Sequence, residues 1–151
     1  MTQGLLGTNI VTQISLVVHD IEATARKLAD FLGVERPAII ETDVYEEART
    51  EYRGTPTQAR AKLAFFTVGP NLQLELIEPD QEPSTWREYL DEHGEGIHHI
   101  AFEIRGMRGK IETMSANGMP LLQKGEYKGG RYAYLDAMAD LKCIVELLEN
   151  A

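Results

Sequence analysis

The runs Gln13-Ile14-Ser15-Leu16-Val17-Val18 and His99-Ile100-Ala101-Phe102-Glu103-Ile104 read as one strand written twice. Each is followed by a helical stretch that stops at a glycine and an apolar residue, Gly33-Val34 in the first copy and Gly118-Met119 in the second. Each copy closes on another apolar run, Leu72-Gln73-Leu74-Glu75-Leu76-Ile77 and Cys143-Ile144-Val145-Glu146-Leu147-Leu148. The order strand, helix, strands therefore repeats along the chain. Laying one copy on the other puts Gln13 on His99 and Glu75 on Glu146. An amide oxygen, an imidazole and two carboxylates make a shell for one divalent cation. An apolar strand that carries one Glu needs such a reason, because an unpaired carboxylate in a core is very costly.

Composition excludes several functions. At 151 residues the chain fits one domain, expected over residues 10–150, with modules at about 12–79 and 97–149 and a connector at 80–96. The net charge of −9 and the lack of any Lys/Arg run argue against a nucleic-acid or anionic-membrane surface. Cys143 is the sole cysteine, so no internal disulfide forms, and Met1 to Asn9 lacks the charged and apolar regions of a signal peptide. No apolar stretch approaches the roughly 20 residues that span a bilayer. A soluble, cytoplasmic protein acting on a small molecule is the expectation.

Within the first copy, Asp20 is placed to cap a helix with Ile21, Ala25, Leu28 and Leu32 on one face, and Gly33 stops it. Ala38-Ile39-Ile40 reads as a short strand, and the polar stretch from Glu46 to Thr57 as a long hairpin loop. Strands follow at Lys62–Val68 and Leu72–Ile77 around the turn Gly69-Pro70-Asn71. In the connector, Ser84 caps a short helix that sets Trp86 and Leu90 on one side. The second copy repeats the order, with a helix presenting Met107, Ile111 and Met114 and strands near Leu121, Tyr132–Leu135 and Cys143–Leu148.

Alternate residues of a strand share a face. Gln13 thus goes with Ser15, Val17 and His19, Glu75 with Gln73 and Ile77, His99 with Ala101 and Glu103, and Glu146 with Ile144 and Leu148. If a pseudo-two-fold axis relates the halves, these faces line one cavity. Oxygen donors with one imidazole suit Zn, Ni, Co, Mn or Mg, and four protein ligands leave places for water or substrate.

The opening Gln13-x-x-x-Val17-Val18-His19-Asp20, the segment Leu74-Glu75-Leu76-Ile77-Glu78-Pro79, the segment Gly94-Glu95-Gly96-Ile97-His98-His99-Ile100-Ala101-Phe102 and the closing Val145-Glu146-Leu147 resemble the vicinal oxygen chelate superfamily, from about Gln13 to Leu148. The two middle segments look most like methylmalonyl-CoA epimerases. The set Gln13, Glu75, His99 and Glu146 looks instead like the eukaryotic type of glyoxalase I. The resemblance implies an α+β fold of tandem βαβββ modules forming a curved mixed sheet around a metal site, and a homodimer. It implies a metal-dependent isomerase, epimerase or lyase that abstracts a proton next to a carbonyl, with Glu146 the first choice of base and Glu75 the second. The alternative is a binding protein of the bleomycin-resistance type, which sequesters a compound without chemistry.

The departures narrow this further. Methylmalonyl-CoA epimerases usually have His at the position of Gln13 and Gln at that of Glu75, and a glutamate proposed as their base aligns near Gln58, whose amide cannot act as one. Val17 and Pro79 stand where glyoxalase I holds glutathione with Arg and Asn. No second His is supplied for the iron site of the extradiol dioxygenases.

Other candidates read more plainly. On a regular strand His98 faces away from His99 and is a packing or hydrogen-bonding residue. His19 is a rim or turn residue, and His93 is exposed. Tyr132 and Tyr134 share a face near the last strand, as core or as cavity lining. Arg49, Arg53, Arg60 and Lys62 gather about the long loop, as a solvated surface or as partners for an anionic tail. Gly129-Gly130 is a turn, and Cys143 packs as a small hydrophobe.

Overall fold

The computed structural model of the protein describes residues 4–151, so the first residues of the Met1–Asn9 stretch lie outside it. The first half contains β1 (Gln13–Val17), α1 (Ile21–Leu32), β2 (Ile40–Glu41), α2 (Tyr45–Ala48), β3 (Glu51–Tyr52), β4 (Thr55–Pro56), β5 (Ala61–Val68) and β6 (Leu72–Pro79). Helix α3 (Thr85–His93) leads to β7 (Gly96–Glu103), α4 (Met107–Ala116), β8 (Leu121–Tyr127), β9 (Gly130–Ala137), α5 (Met138–Leu141) and β10 (Cys143–Asn150). The strands form one ten-stranded mixed sheet in the order β2-β5-β6-β1-β7-β10-β9-β8-β3-β4. Among the described residues no helix is long and apolar enough to cross a membrane.

The duplicated strands meet at the middle of that order. β1 runs parallel to β6 and antiparallel to β7, and β7 runs parallel to β10. The β1–β7 register pairs Gln13 with Ala101 and Ser15 with His99, so the local two-fold relation passes between the two pairs. The expected tandem βαβββ modules on a curved sheet are what the chain forms.

The helices start and stop for local reasons. Asp20 Oδ1 accepts from the Ala23 N–H at 3.1 Å to cap α1, and Gly33 closes it in the left-handed region at φ 70°. Ile21, Ala25 and Ala29 form its buried stripe, with Leu28 and Leu32 at the margin. Ser84 Oγ accepts from the Arg87 N–H at 2.9 Å to cap α3.

The polar stretch Glu46–Thr57 departs from its reading as a loop. It holds most of α2 and the hairpin β3–β4, and β3 crosses to the other half to pair with β8, Glu51 with Lys124 and Tyr52 with Gln123. Strands of two residues are too short to show a period, so backbone pairing and side-chain ties decide them. The Tyr52 hydroxyl donates to Glu88 on α3, and Arg53 Nη2 lies 2.8 Å from Glu88 Oε1.

Three apolar clusters divide the interior. α1 packs Ile21 and Ala25 on Ala64, Phe66 and Leu76 of the first half. α4 packs Met107 and Met114 on Ala133, Leu135, Val145 and Leu147 of the second. Between them α3 inserts Trp86 and Leu90 against Val17, Ile77, Tyr134 and Ile144, which closes one end of the curved sheet. Val17, Ile77 and Ile144 are the face-mates expected for Gln13, Glu75 and Glu146, so this cluster is the support on which those side chains stand.

Trp86 is 3% exposed. Trp86→Ala is expected to lower unfolding free energy by about 3–5 kcal/mol. Urea denaturation followed by circular dichroism checks it, and a loss under about 1 kcal/mol would show that the cluster does not bear on stability.

Candidate metal centre

β1, β6, β7 and β10 are adjacent, and each brings one polar residue to the inner face: Gln13, Glu75, His99 and Glu146, between 0% and 6% exposed. His99 Nε2 lies 3.1 Å from Gln13 Oε1, 3.2 Å from Glu146 Oε1 and 3.8 Å from Glu75 Oε1. The structure thus brings together all four residues singled out by the duplication. Among the described residues no three His, Cys, Asp or Glu side chains stand as a ready metal cage; these donors meet on the imidazole nitrogen.

The two carboxylates sit in unequal surroundings, and the cause is one substitution between the copies. Ser15 lies opposite Glu75 across β1–β6, and Ala101 lies opposite Glu146 across β7–β10. Ser15 Oγ donates to Glu75 Oε1 at 2.5 Å. Ala101 has nothing to donate, and Glu146 Oε1 is buried without a hydrogen-bond partner among the described residues. An orphaned carboxylate oxygen of this kind is strongly unfavourable unless a counter-charge meets it. The donor set of three oxygen-bearing groups and one imidazole supplies the borderline-to-hard ligands that divalent ions prefer. The residues therefore fit such an ion. Burial, then the neighbouring Glu146 charge, raises the Glu75 carboxyl to about 7, while His99 and the Ser15 hydrogen bond pull it down.

His98 differs from its expected orientation. The β1–β7 register slips between Ser15 and Leu16, from His99 to Ile97, so His98 occupies a bulge and alternation fails there. Its ring turns inward, with Nδ1 2.8 Å from His99 Nδ1 and Nε2 3.3 Å from Thr85 Oγ1. Burial, and next the His99 ring, push its pKa well down, so it stays neutral. A neutral ring has one N–H, and the relay satisfies both histidines in either direction. A cation on His99 Nε2 would select the one in which His99 Nδ1–H donates to His98 and His98 Nε2–H donates to Thr85. The doubled His in the sequence was the signal for this pair, and the bulge that joins them is invisible to periodicity.

Above the quartet the sheet encloses a cavity of about 1040 Å³. Gln13, Glu75 and Glu146 line it, with Phe65, Tyr132 and Tyr134 among its walls. Both tyrosines are therefore cavity residues. Burial raises their pKa values and keeps the hydroxyls neutral. Arg49, Arg53, Arg60 and Lys62 do not gather on the cavity, and none of the four lines it. Arg53 pairs with Glu88 at 2.8 Å, Arg60 with Glu41 at 3.4 Å and Lys62 with Glu78 at 3.6 Å, while Arg49 lies over the Tyr45 ring. Gln58 is exposed and away from the lining. His19 is exposed and turns at the end of β1, and the half-exposed His93 stacks on Tyr89.

The raised Glu75 pKa has a definite sign. A carboxyl whose folded pKa exceeds its unfolded value contributes stability that is complete below the unfolded value and is lost as pH rises through the folded one. In chelator-treated protein, Glu75→Gln is expected to gain stability relative to the wild type between about pH 5 and pH 8, at up to about 1.4 kcal/mol per pH unit. Thermal unfolding of both proteins at the two ends of that window tests this, and a constant difference would remove the burial argument. For the relay, His98→Phe is expected to weaken divalent-ion binding by about 10–100-fold, with His98→Asn, which keeps a polar partner, weakened less. Calorimetric titration with Zn or Ni measures both, and equal affinities in all three proteins would show that His98 does not orient His99.

Residues 12–134 match the family model described as Glyoxalase/Bleomycin resistance protein/Dioxygenase superfamily. An ethylmalonyl-CoA/methylmalonyl-CoA epimerase of Cereibacter sphaeroides is 26% identical over 142 residues, which span 91% of this chain and 95% of that protein. The crystal structure of methylmalonyl-CoA epimerase from Mycobacterium tuberculosis is similar with a TM-score of 0.65 at 18% identity, over 100% of this chain and 93% of that one. A Streptomyces coelicolor methylmalonyl-CoA epimerase in complex with 2-nitronate-propionyl-CoA is similar with a TM-score of 0.62 at 22% identity, over 93% and 96% of the two chains. At these identities the solved structures speak for the fold, and the matched family model covers most of the chain. The chain belongs to the glyoxalase/bleomycin resistance protein/dioxygenase superfamily.

Proposed function

We propose that this protein is a metal-dependent enzyme of the isomerase, epimerase or lyase kind, which removes a proton from carbon beside a carbonyl. The observation that carries the reading is the inequality of two buried carboxylates at one cavity floor. Glu146 has an unpartnered oxygen, and Glu75 is tied to Ser15 with its pKa raised to about 7. The names of the similar epimerases support the same reaction class.

Gln13, Glu75, His99 and Glu146 would hold the ion before substrate enters, and Glu146 would be released to act on the substrate. A divalent ion, when bound, supplies electron withdrawal from the carbonyl and so acidifies the adjacent C–H bond. Glu146, whose Oε1 makes no hydrogen bond although His99 Nε2 lies 3.2 Å away, takes the proton. Glu75, held in place by Ser15, is the second carboxylate and returns a proton from its own side. Because the two stand on strands of opposite halves, removal by one and return by the other approach the substrate from different directions, which inverts a stereocentre or moves a hydrogen. Tyr132 and Tyr134 stay protonated and offer hydroxyls without adding charge. The Trp86 cluster closes the cavity behind them and limits water.

Candidate 2-oxo, 2-hydroxy and acyl-thioester compounds incubated with the protein and divalent ions in deuterated water test this. One of them is expected to take up deuterium at the carbon beside the carbonyl, and Glu146→Gln to slow that uptake by about 100- to 10,000-fold. Undiminished uptake in Glu146→Gln with loss in Glu75→Gln would reverse the two roles. No uptake across the panel, with compounds still bound, would favour the sequestering protein.

A further inference from the structure

The cavity is one-sided in charge. Its lining includes the carboxylates of Glu41, Asp43, Glu75, Glu103, Glu126 and Glu146 and, among the described residues, no Lys, Arg or His. Glu75 and Glu146 belong to the quartet, where a divalent ion would offset them. The other four stand around the mouth on both halves of the sheet: Glu41 on β2, Asp43 just beyond it, Glu103 at the end of β7 and Glu126 on β8. Of these four, Glu41 alone has an ion-pair partner among the described residues, Arg60 at 3.4 Å. Glu103 accepts a hydrogen bond from Asn150 Nδ2 at 2.5 Å, which leaves its charge in place. Arg53, Lys62, Arg87 and Arg131 are engaged with Glu88, Glu78, Asp91 and Glu149 outside the cavity. The net charge of −9 adds to the same sign.

A second, independent feature marks where the reacting end of a ligand goes. Glu146 Oε1 is buried, unpartnered and part of the cavity floor. The larger part of the wall is apolar and aromatic, from Leu63, Phe65, Trp86, Tyr132, Tyr134 and Leu148, and uncharged hydroxyl and amide side chains such as Thr42, Thr50 and Asn71 make up most of the rest. A volume of about 1040 Å³ is large for the carbonyl end of a small metabolite alone.

From these features we infer that the cavity takes a bulky, largely apolar carbonyl compound without anionic groups, either uncharged or bearing an ammonium group at the end away from the quartet. The inference rests on the proton-abstraction reading for which end enters first, and the charge of the lining decides the rest. A coenzyme A thioester carries three phosphate groups, and a glutathione adduct carries two carboxylates. Either would pass the mouth acids within a Debye length, about 8 Å at physiological salt, with no cation of the lining to receive it. A neutral compound meets no such opposition, and an ammonium group is drawn to it.

A matched series tests this: a methyl phenyl vicinal diketone carrying hydrogen, trimethylammonium or carboxylate at the para position, so that the chelating end is constant. Trp86 is the sole tryptophan and lines the cavity, so its fluorescence reports occupancy. With Zn or Mg present, the trimethylammonium and unsubstituted compounds are expected to bind at least about tenfold more tightly than the carboxylate at low salt, with the gap closing as salt is raised. Glu103→Gln combined with Glu126→Gln, both on exposed residues, is expected to narrow the gap by strengthening the carboxylate and weakening the trimethylammonium compound. Methylmalonyl-CoA is expected to compete poorly with the unsubstituted diketone. Equal or tighter binding of the carboxylate, or displacement of the diketone by methylmalonyl-CoA at lower concentration, would overturn the inference. Binding in the expected order without deuterium uptake would instead overturn the proton-abstraction reading and leave this one standing.

Discussion

The antiparallel pairing of β1 with β7 is the contact on which the site depends. It joins the two halves at Gln13–Ala101 and Ser15–His99, and it alone puts Gln13 and His99 on neighbouring strands with the same outlook. A slip of one residue in this pairing would send Gln13 and Ser15 towards the α1 side and bring Ile14 and Leu16 onto the inner face, because strand side chains alternate with period two. The parallel partners β6 and β10 then add Glu75 and Glu146 at matching offsets, so the quartet follows from one register applied twice. Neither half has the set: one supplies Gln13 and Glu75, the other His99 and Glu146.

Duplication by itself would make two equivalent carboxylates, and equivalent groups do not divide acid from base work. The difference is made by the residue that faces each of them across its parallel partner strand. Ser15 is a hydroxyl donor to Glu75, while its counterpart Ala101 is fully buried and donates nothing to Glu146. The asymmetry is therefore local, one oxygen atom deep, and sits on a framework that stays symmetric. His98 adds a second asymmetry: its bulge on β7 has no matching bulge on β1 in the same pairing, and through it the imidazole of His99 is oriented from α3.

Much of this was legible in the chain because it depends on strong local signals. The duplicated strands, the caps Asp20, Gly33 and Ser84, and the four polar residues on apolar strands are all statements about a period or a turn. The features that were not legible depend on pairing across the sheet. The hairpin β3–β4 has too few residues to show alternation and forms because β8 offers an open edge. His98 breaks its strand's period through a register shift that only β1 determines. The basic residues about the long loop are close in sequence, yet their partners Glu41, Glu78 and Glu88 come from three other elements, so sequence clustering there does not mean clustering in space.

Burying four polar groups under an apolar cluster sets a condition on folding as well as on chemistry. The apolar floor of Val17, Ile77 and Ile144 holds the quartet from below, and the wall above it is largely apolar, so apart from His99 at 3.2 Å the charge of Glu146 has little to satisfy it but what the cavity receives. A group that binds the native arrangement and not the unfolded chain stabilises the former by mass action, and the unfolded chain holds these four donors far apart in sequence. The oxygen of Glu146 without a hydrogen-bond partner is thus a local instability in the protein alone. The fold tolerates it because three separate apolar clusters hold the sheet in register around it, and stability gathered in the cores on either side permits an unsatisfied charge at the centre.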